Sequence, residues 1–267
     1  MKGDTVHYEK SGKVAIVTLN RPEHNNAFNY TMMQELDQVW DEIKQDTSVV
    51  SVLLTGAGNK AFCTGMDLSD VSPEKIDKLY CTGMDASPLF RITAIQKQCW
   101  KPVVTAVNGI ACGGGFHFIA DSDLVVASER ATFFDPHVKL GLIAGLEPVG
   151  LVRRLPLETV LRLSLLGGAE RMSSQQALAC GLVGEVVADD ALQERGLELA
   201  TKISAHSPTA LARTKQAIWQ SLNVGLEQAL SDTWALMLSH NNHPDLEEGR
   251  MAHLQRRAPQ WHPYNEQ

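Results

Sequence analysis

Ala106-Val107-Asn108-Gly109-Ile110-Ala111-Cys112-Gly113-Gly114-Gly115-Phe116-His117-Phe118-Ile119-Ala120-Asp121 is the stretch around which the rest of the chain is organised. Just upstream, the β-branched run from Pro102 to Val107 reads as a buried strand. Asn108-Gly109 ends it as a turn. Three consecutive glycines then lead into an apolar run that predicts a short buried helix over roughly 115–121. The first amides of a helix have no partner inside it and lie at its positive end. The Gly114 N–H is therefore a candidate donor to a negative oxygen. His117 follows three residues later, and helical side chains lean toward the N-terminus, so ring and amide share one small space. The same residues also fit a glycine-softened helix packed in a core with its histidine hydrogen-bonded there. The stretch alone leaves both readings open.

Working outward, Val49 to Thr55 is a second apolar, β-branched strand, followed by Gly56-Ala57-Gly58 and then Ala61-Phe62-Cys63-Thr64-Gly65-Met66-Asp67-Leu68. Val14 to Leu19 is a third strand, broken by Arg21-Pro22. Met32, Leu36, Val39, Trp40 and Ile43 recur at helical spacing, which predicts an amphipathic helix over 30–46. An irregular segment is expected over 69–85, a helix over 88–100, and short strands over 123–127 and 131–134. Strands alternating with helices argue a mainly parallel sheet with helical crossovers. After Gly141 the chain is almost all helix. Helices are expected over 146–155 and 158–166, from Ser173-Ser174, from Asp189/Asp190 to about 203, over 208–223, from Gly225 and from Pro244, with one short strand over 184–187.

Composition narrows the function classes. The chain has 267 residues and a formal net charge of −7, which argues against general nucleic-acid binding. No apolar run approaches the roughly 20 residues of a membrane span, and the N-terminus lacks a signal-peptide core. Five cysteines, at 63, 81, 99, 112 and 180, show no Cys-x-x-Cys spacing. That pattern favours reduced thiols and a cytoplasmic setting.

Leu19-Asn20-Arg21-Pro22-Glu23 with Asn25-Asn26-Ala27, the Gly56–Leu68 segment and Ala106–Gly115 stand in order and at the spacing of a known pattern. The pattern is LNRPE..NA, LTG.G.AFC.G.DL, AVNG.A.GGG, and the chain thereby resembles the crotonase (enoyl-CoA hydratase/isomerase) superfamily from about Val14 to about Trp261. The resemblance implies an α/β crotonase spiral fold of ββα repeats over 1–200 and a C-terminal helical trimerisation region over 201–267. It implies a coenzyme A thioester as substrate, with no separate bound cofactor and no metal, in a homotrimer or dimer of trimers. Chemistry of that kind forms an enolate whose oxygen needs preorganised donors. By the family pattern these are the amides of Met66 and Gly114. Arg21, Asn25, Ala27, Ala61, Met66, Asp67, Leu68 and Gly114 are the positions implied to contact the ligand. Arg21, Lys60, Lys101 and Arg256-Arg257 are cations that could face its phosphates.

The acid–base positions depart from the family. Where hydratases carry two glutamates, this chain has His117 and His137, the latter in Asp135-Pro136-His137. Three readings follow. The histidines act as the acid–base pair, since an imidazole titrates near neutrality. Alternatively Glu147, in Gly145-Leu146-Glu147-Pro148, does the work in a hydrolase-like or dehalogenase-like reaction, with burial expected to raise its pKa. In the third reading the site only binds acyl-CoA. Asp135 is expected as a loop residue able to orient His137.

Overall fold

The computed structural model describes residues 3–70 and 91–264. Among the described residues, ten strands form two sheets. The first has the order β1 (Val6–Ser11), β2 (Val14–Leu19), β3 (Ser51–Gly56), β5 (Val103–Val107), β7 (Leu124–Ser128), β10 (Glu185–Val187). Apart from the antiparallel β1–β2 pair, its neighbours run parallel. The second sheet has the order β4 (Ala61–Cys63), β6 (Ile110–Cys112), β8 (Thr132–Phe134), β9 (Met172–Ser173). Three strands of the first sheet each pass through a turn into a three-residue strand of the second: β3 into β4, β5 into β6, β7 into β8. That repetition is the spiral of ββα units.

The strands of the first sheet's centre are buried along their whole length: every residue of β3 and β5 is buried. This is why they read as continuous β-branched runs without alternation. One face packs on α1 (Tyr30–Gln45), whose buried residues Met32, Leu36, Val39, Trp40 and Ile43 are those of the sequence periodicity. Asn29 caps that helix by accepting from the Met32 amide. The other face packs on α6 (Leu192–Ser204) through Leu53, Val104, Ala106, Leu192 and Ala200. The boundary expected between 200 and 201 falls inside α6.

Between these lie α2 (Phe116–Ala120), α3 (Leu146–Leu151), α4 (Leu157–Leu165) and α5 (Ser174–Cys180). The C-terminal helices are α7 (Pro208–Ser221), α8 (Leu226–His240) and α9 (Pro244–Gln255). Lys215 of α7 anchors this region to the spiral, donating to the Lys101 carbonyl at 2.9 Å and pairing with Asp123 at 2.8 Å.

Most of the irregular segment expected over 69–85 lies outside the described residues, as do Cys81 and the first residues of the helix expected over 88–100. The described part of that helix, 91–100, is instead a set of turns. The Trp40 indole takes the Ile92 carbonyl at 2.8 Å, and Gln98 adopts a left-handed conformation at φ 51°. The Cys99 amide then closes back on the Ala94 carbonyl.

Candidate active site

The site forms where β4 and β6, adjacent in the second sheet, deliver two loops side by side. Beyond β4, Phe28 bridges Met66: the Phe28 amide donates to the Gly65 carbonyl at 2.8 Å and the Asp67 amide donates to the Phe28 carbonyl at 2.9 Å. Alternation along an extended chain turns the Met66 N–H to the opposite side. Beyond β6, Gly113–Gly115 form a tight turn that runs into α2. Two glycines let these loops meet. Gly65 has φ 85°, and a Cβ there would lie 2.7 Å from the Gly114 nitrogen. A Cβ on Gly114 would lie 2.7 Å from the Phe28 ring. The two backbones are thus as close as they can be.

A cavity of about 550 Å³ opens over these loops. Phe28, Met66, Leu68, Leu142, Ile143 and Leu146 supply apolar walls, and Gly114, His117, His137 and Glu147 supply the polar groups. His117 is the second residue of α2. His137 begins a turn after β8, and Glu147 lies in the first turn of α3. Three separate elements therefore bring the residues together. The Glu147 Oε1 lies 3.3 Å from His117 Nε2 and 4.0 Å from His137 Nε2. On the far side of the His137 ring, Asp135 Oδ1 lies 2.6 Å from Nδ1 and accepts the His137 backbone amide at 2.9 Å.

This arrangement reverses the expectation that Glu147 has a raised pKa. Burial pushes its carboxyl up, but the hydrogen bond and charge of His117 and the charge of His137 outweigh it and leave the group below the usual carboxylate range. His137 moves the other way: the Asp135 hydrogen bond raises it against burial, and the Asp135 and Glu147 charges add to the rise.

Of the positions implied to contact a ligand, Met66, Leu68 and Gly114 line the cavity, whereas Arg21, Asn25, Ala27, Ala61 and Asp67 are not among its lining residues. Arg21 is buried and donates to the Ala27 carbonyl at 2.5 Å and to Asp67 at 2.9 Å. Asp67 is held low by the Ser69 hydroxyl, against burial, and by Arg21. Asn25 takes a left-handed conformation that closes the turn after Pro22, and the Asn26 side-chain Nδ2 donates to the Ala57 and Ala61 carbonyls, both at 2.9 Å. The LNRPE..NA motif thus fastens the loop that carries Phe28. Lys101, expected as a phosphate-facing cation, is buried instead, with its ammonium on the Ile43 and Asp46 carbonyls. Arg257 pairs with Glu248 at 2.5 Å. Phe28, Leu142 and Ile143, which sequence reasoning did not single out, shape the cavity. Their only sequence signal is apolar character beside a motif. A second cavity of about 540 Å³ lies under α7, and there Asp123 and Lys215 satisfy each other. Among the described residues, no three histidine, cysteine or acidic side chains are grouped to hold a metal ion.

Comparison with known proteins identifies the family. The profile of the enoyl-CoA hydratase/isomerase family matches residues 9–264. The chain belongs to this family. Among curated relatives, it is 36% identical over 231 residues to a short-chain-enoyl-CoA hydratase of Clostridium acetobutylicum, covering 86% of this chain and 87% of that one. It is 34% identical to an (E)-benzylidenesuccinyl-CoA hydratase of Thauera aromatica, covering 95% and 97%. Among solved structures, an enoyl-CoA hydratase/isomerase from Mycobacterium paratuberculosis superposes with a TM-score of 0.88 at 39% identity, covering 97% of this chain and 99% of that one. The fold is that of crotonase-type enzymes, and no helix among the described residues is long and apolar enough to cross a membrane.

Proposed function

We propose that this member of the enoyl-CoA hydratase/isomerase family acts on an acyl-CoA thioester through an enolate. The thioester oxygen sits between the Met66 and Gly114 amides, and Glu147 and His137 carry the proton traffic that two glutamates carry in hydratases. One observation supports this above the rest: Glu147, from α3, reaches between His117 and His137 on the cavity that also holds Gly114 and Met66. Titratable pairs pushed apart by their surroundings divide into a base and an acid. Glu147, held low, is ionised at neutral pH and is the base; His137, held high, is the acid. In a hydration, Glu147 takes a proton from water as the oxygen bonds to the β-carbon. The electron pair of the double bond moves onto the thioester oxygen. Collapse of that enolate then takes a proton from His137 Nε2 at the α-carbon. His117 holds Glu147 in place. Coenzyme A enters as part of the substrate.

Glu147 also supports a second reading, in which the activated water attacks the thioester carbonyl and releases coenzyme A. Turnover of crotonyl-CoA and a panel of enoyl- and aryl-CoA thioesters tests both. A 3-hydroxyacyl product or an isomerised double bond supports the first, free thiol supports the second, and tight binding without any product leaves only an acyl-CoA-binding protein. The homologous fold and the apolar face of α8 support a trimeric assembly.

A further inference from the structure

Among the described residues, Asp135 is the fully buried carboxylate beside this site that the reaction above leaves without a part. It is 1% exposed and is not among the residues lining the cavity. A single oxygen, Oδ1, accepts both the backbone amide and the ring Nδ1 of His137, at 2.9 and 2.6 Å. An ionised carboxylate can only accept, so the Nδ1 facing it must carry hydrogen. The ring's other nitrogen, Nε2, is then the one that gains and loses the exchangeable proton, and it is Nε2 that faces Glu147 across 4.0 Å.

Resting on the acid–base reading above, we propose that Asp135 is a positioning residue that fixes the tautomer of His137 and keeps a proton on Nε2, aimed into the cavity. The charges around the ring are accounted for. Glu147 faces it from α3, and His117 lies beyond Glu147 on α2. Cys112, on β6, is pushed up to about 12 chiefly by burial and stays a neutral thiol. Arg171 stacks 4.3 Å over the Phe134 ring, and Lys139 on the same turn as His137 is exposed. Asp135 is the anion in direct contact with Nδ1. It divides the site into an acidic half, Asp135–His137, and a basic half, Glu147–His117.

The decisive experiment is ring ¹⁵N NMR of the histidines in the whole protein without substrate, in wild type and Asp135→Asn, with His137 assigned by loss of its signals in His137→Gln. Wild type is expected to carry hydrogen on Nδ1 in the neutral ring and to titrate above 6.5, the ordinary histidine value. A neutral ring with hydrogen on Nε2, or a midpoint at or below the ordinary value, overturns the proposal even if no variant folds. Asp135→Asn is expected to lower the midpoint by about one pH unit or more; an unchanged midpoint overturns it. On a thioester that the wild type turns over, Asp135→Asn should lower kcat about tenfold or more and move the alkaline limb of its pH profile down with the NMR midpoint. The same change made in His137→Gln should then cost nothing further. Equal losses in both backgrounds would mean a merely structural role and overturn the proposal. If no thioester is turned over, the enzyme reading fails while the ring titration still decides the role of Asp135.

Discussion

Gly114 carries two separable demands, an amide and the absence of a side chain. A Cβ there would lie 2.7 Å from the Phe28 ring and 3.3 Å from the Gly65 Cα. Gly114→Pro alone therefore confounds loss of a donor with displacement of Phe28. Gly114→Ala supplies the control, because it displaces Phe28 and keeps the N–H. The expected kcat order on one thioester is wild type, then Ala, then Pro, with the last step about 100-fold or more, the usual cost of one oxyanion donor. Equal kcat for the Ala and Pro variants would contradict the role of the amide. The Arg21–Asp67 pair acts on the same loop. Both side chains are about 11% exposed, so removing one leaves a charge buried without its partner. Asp67→Ala should destabilise the protein by about 3–5 kcal/mol, measured by urea unfolding. The residue types at 117, 137 and 147 were legible as chemistry in the sequence. That Glu147 would be held low was not, because its surroundings come from α2 and the turn after β8, thirty and ten residues away along the chain.

At the scale of elements, the long segments were legible and the short ones were not. α1, β2, β3 and β5 bury enough residues for period or continuous apolar character to show. β4, β6 and β8 have three residues each, too few to carry a period, and β4 and β6 are defined by long-range pairing. β1 escaped the sequence reading for a related reason. It is an edge strand whose entry is held by Glu35 of α1, which accepts from the amides of Asp4, Thr5 and Val6 and from the Thr5 hydroxyl. Burial pushes Glu35 up, but these hydrogen bonds leave its pKa lowered from 4.5. A lowered carboxylate adds stability above its unfolded pKa and loses it as pH falls through the folded value. Glu35→Gln should therefore cost about 1–3 kcal/mol at neutral pH, and the gap from wild type should close as the pH falls below 4.5. Urea midpoints of both proteins across that range check it; a gap that stays constant contradicts it.

For the whole molecule, the two-sheet spiral was legible only through the resemblance, because alternating strands and helices fit a single sheet equally well. The surface of α8 speaks to assembly. Leu226, Leu230 and Trp234 are 75%, 62% and 59% exposed, and Met237 and Leu238 continue the apolar face. Water-exposed apolar faces of this size mark association surfaces. Sedimentation of micromolar protein is expected to show a trimer or a dimer of trimers, and a stable monomer would contradict that assembly. The central claim is that Glu147 and His137, not two glutamates at the family positions, move the proton. It is tested most directly by kcat of Glu147→Gln and His137→Ala on one thioester that the wild type turns over, with coenzyme A binding checked separately. The expected result is a loss of about 100- to 10,000-fold in each, at least as large for Glu147→Gln as for His137→Ala. Near-wild-type turnover by Glu147→Gln would contradict it.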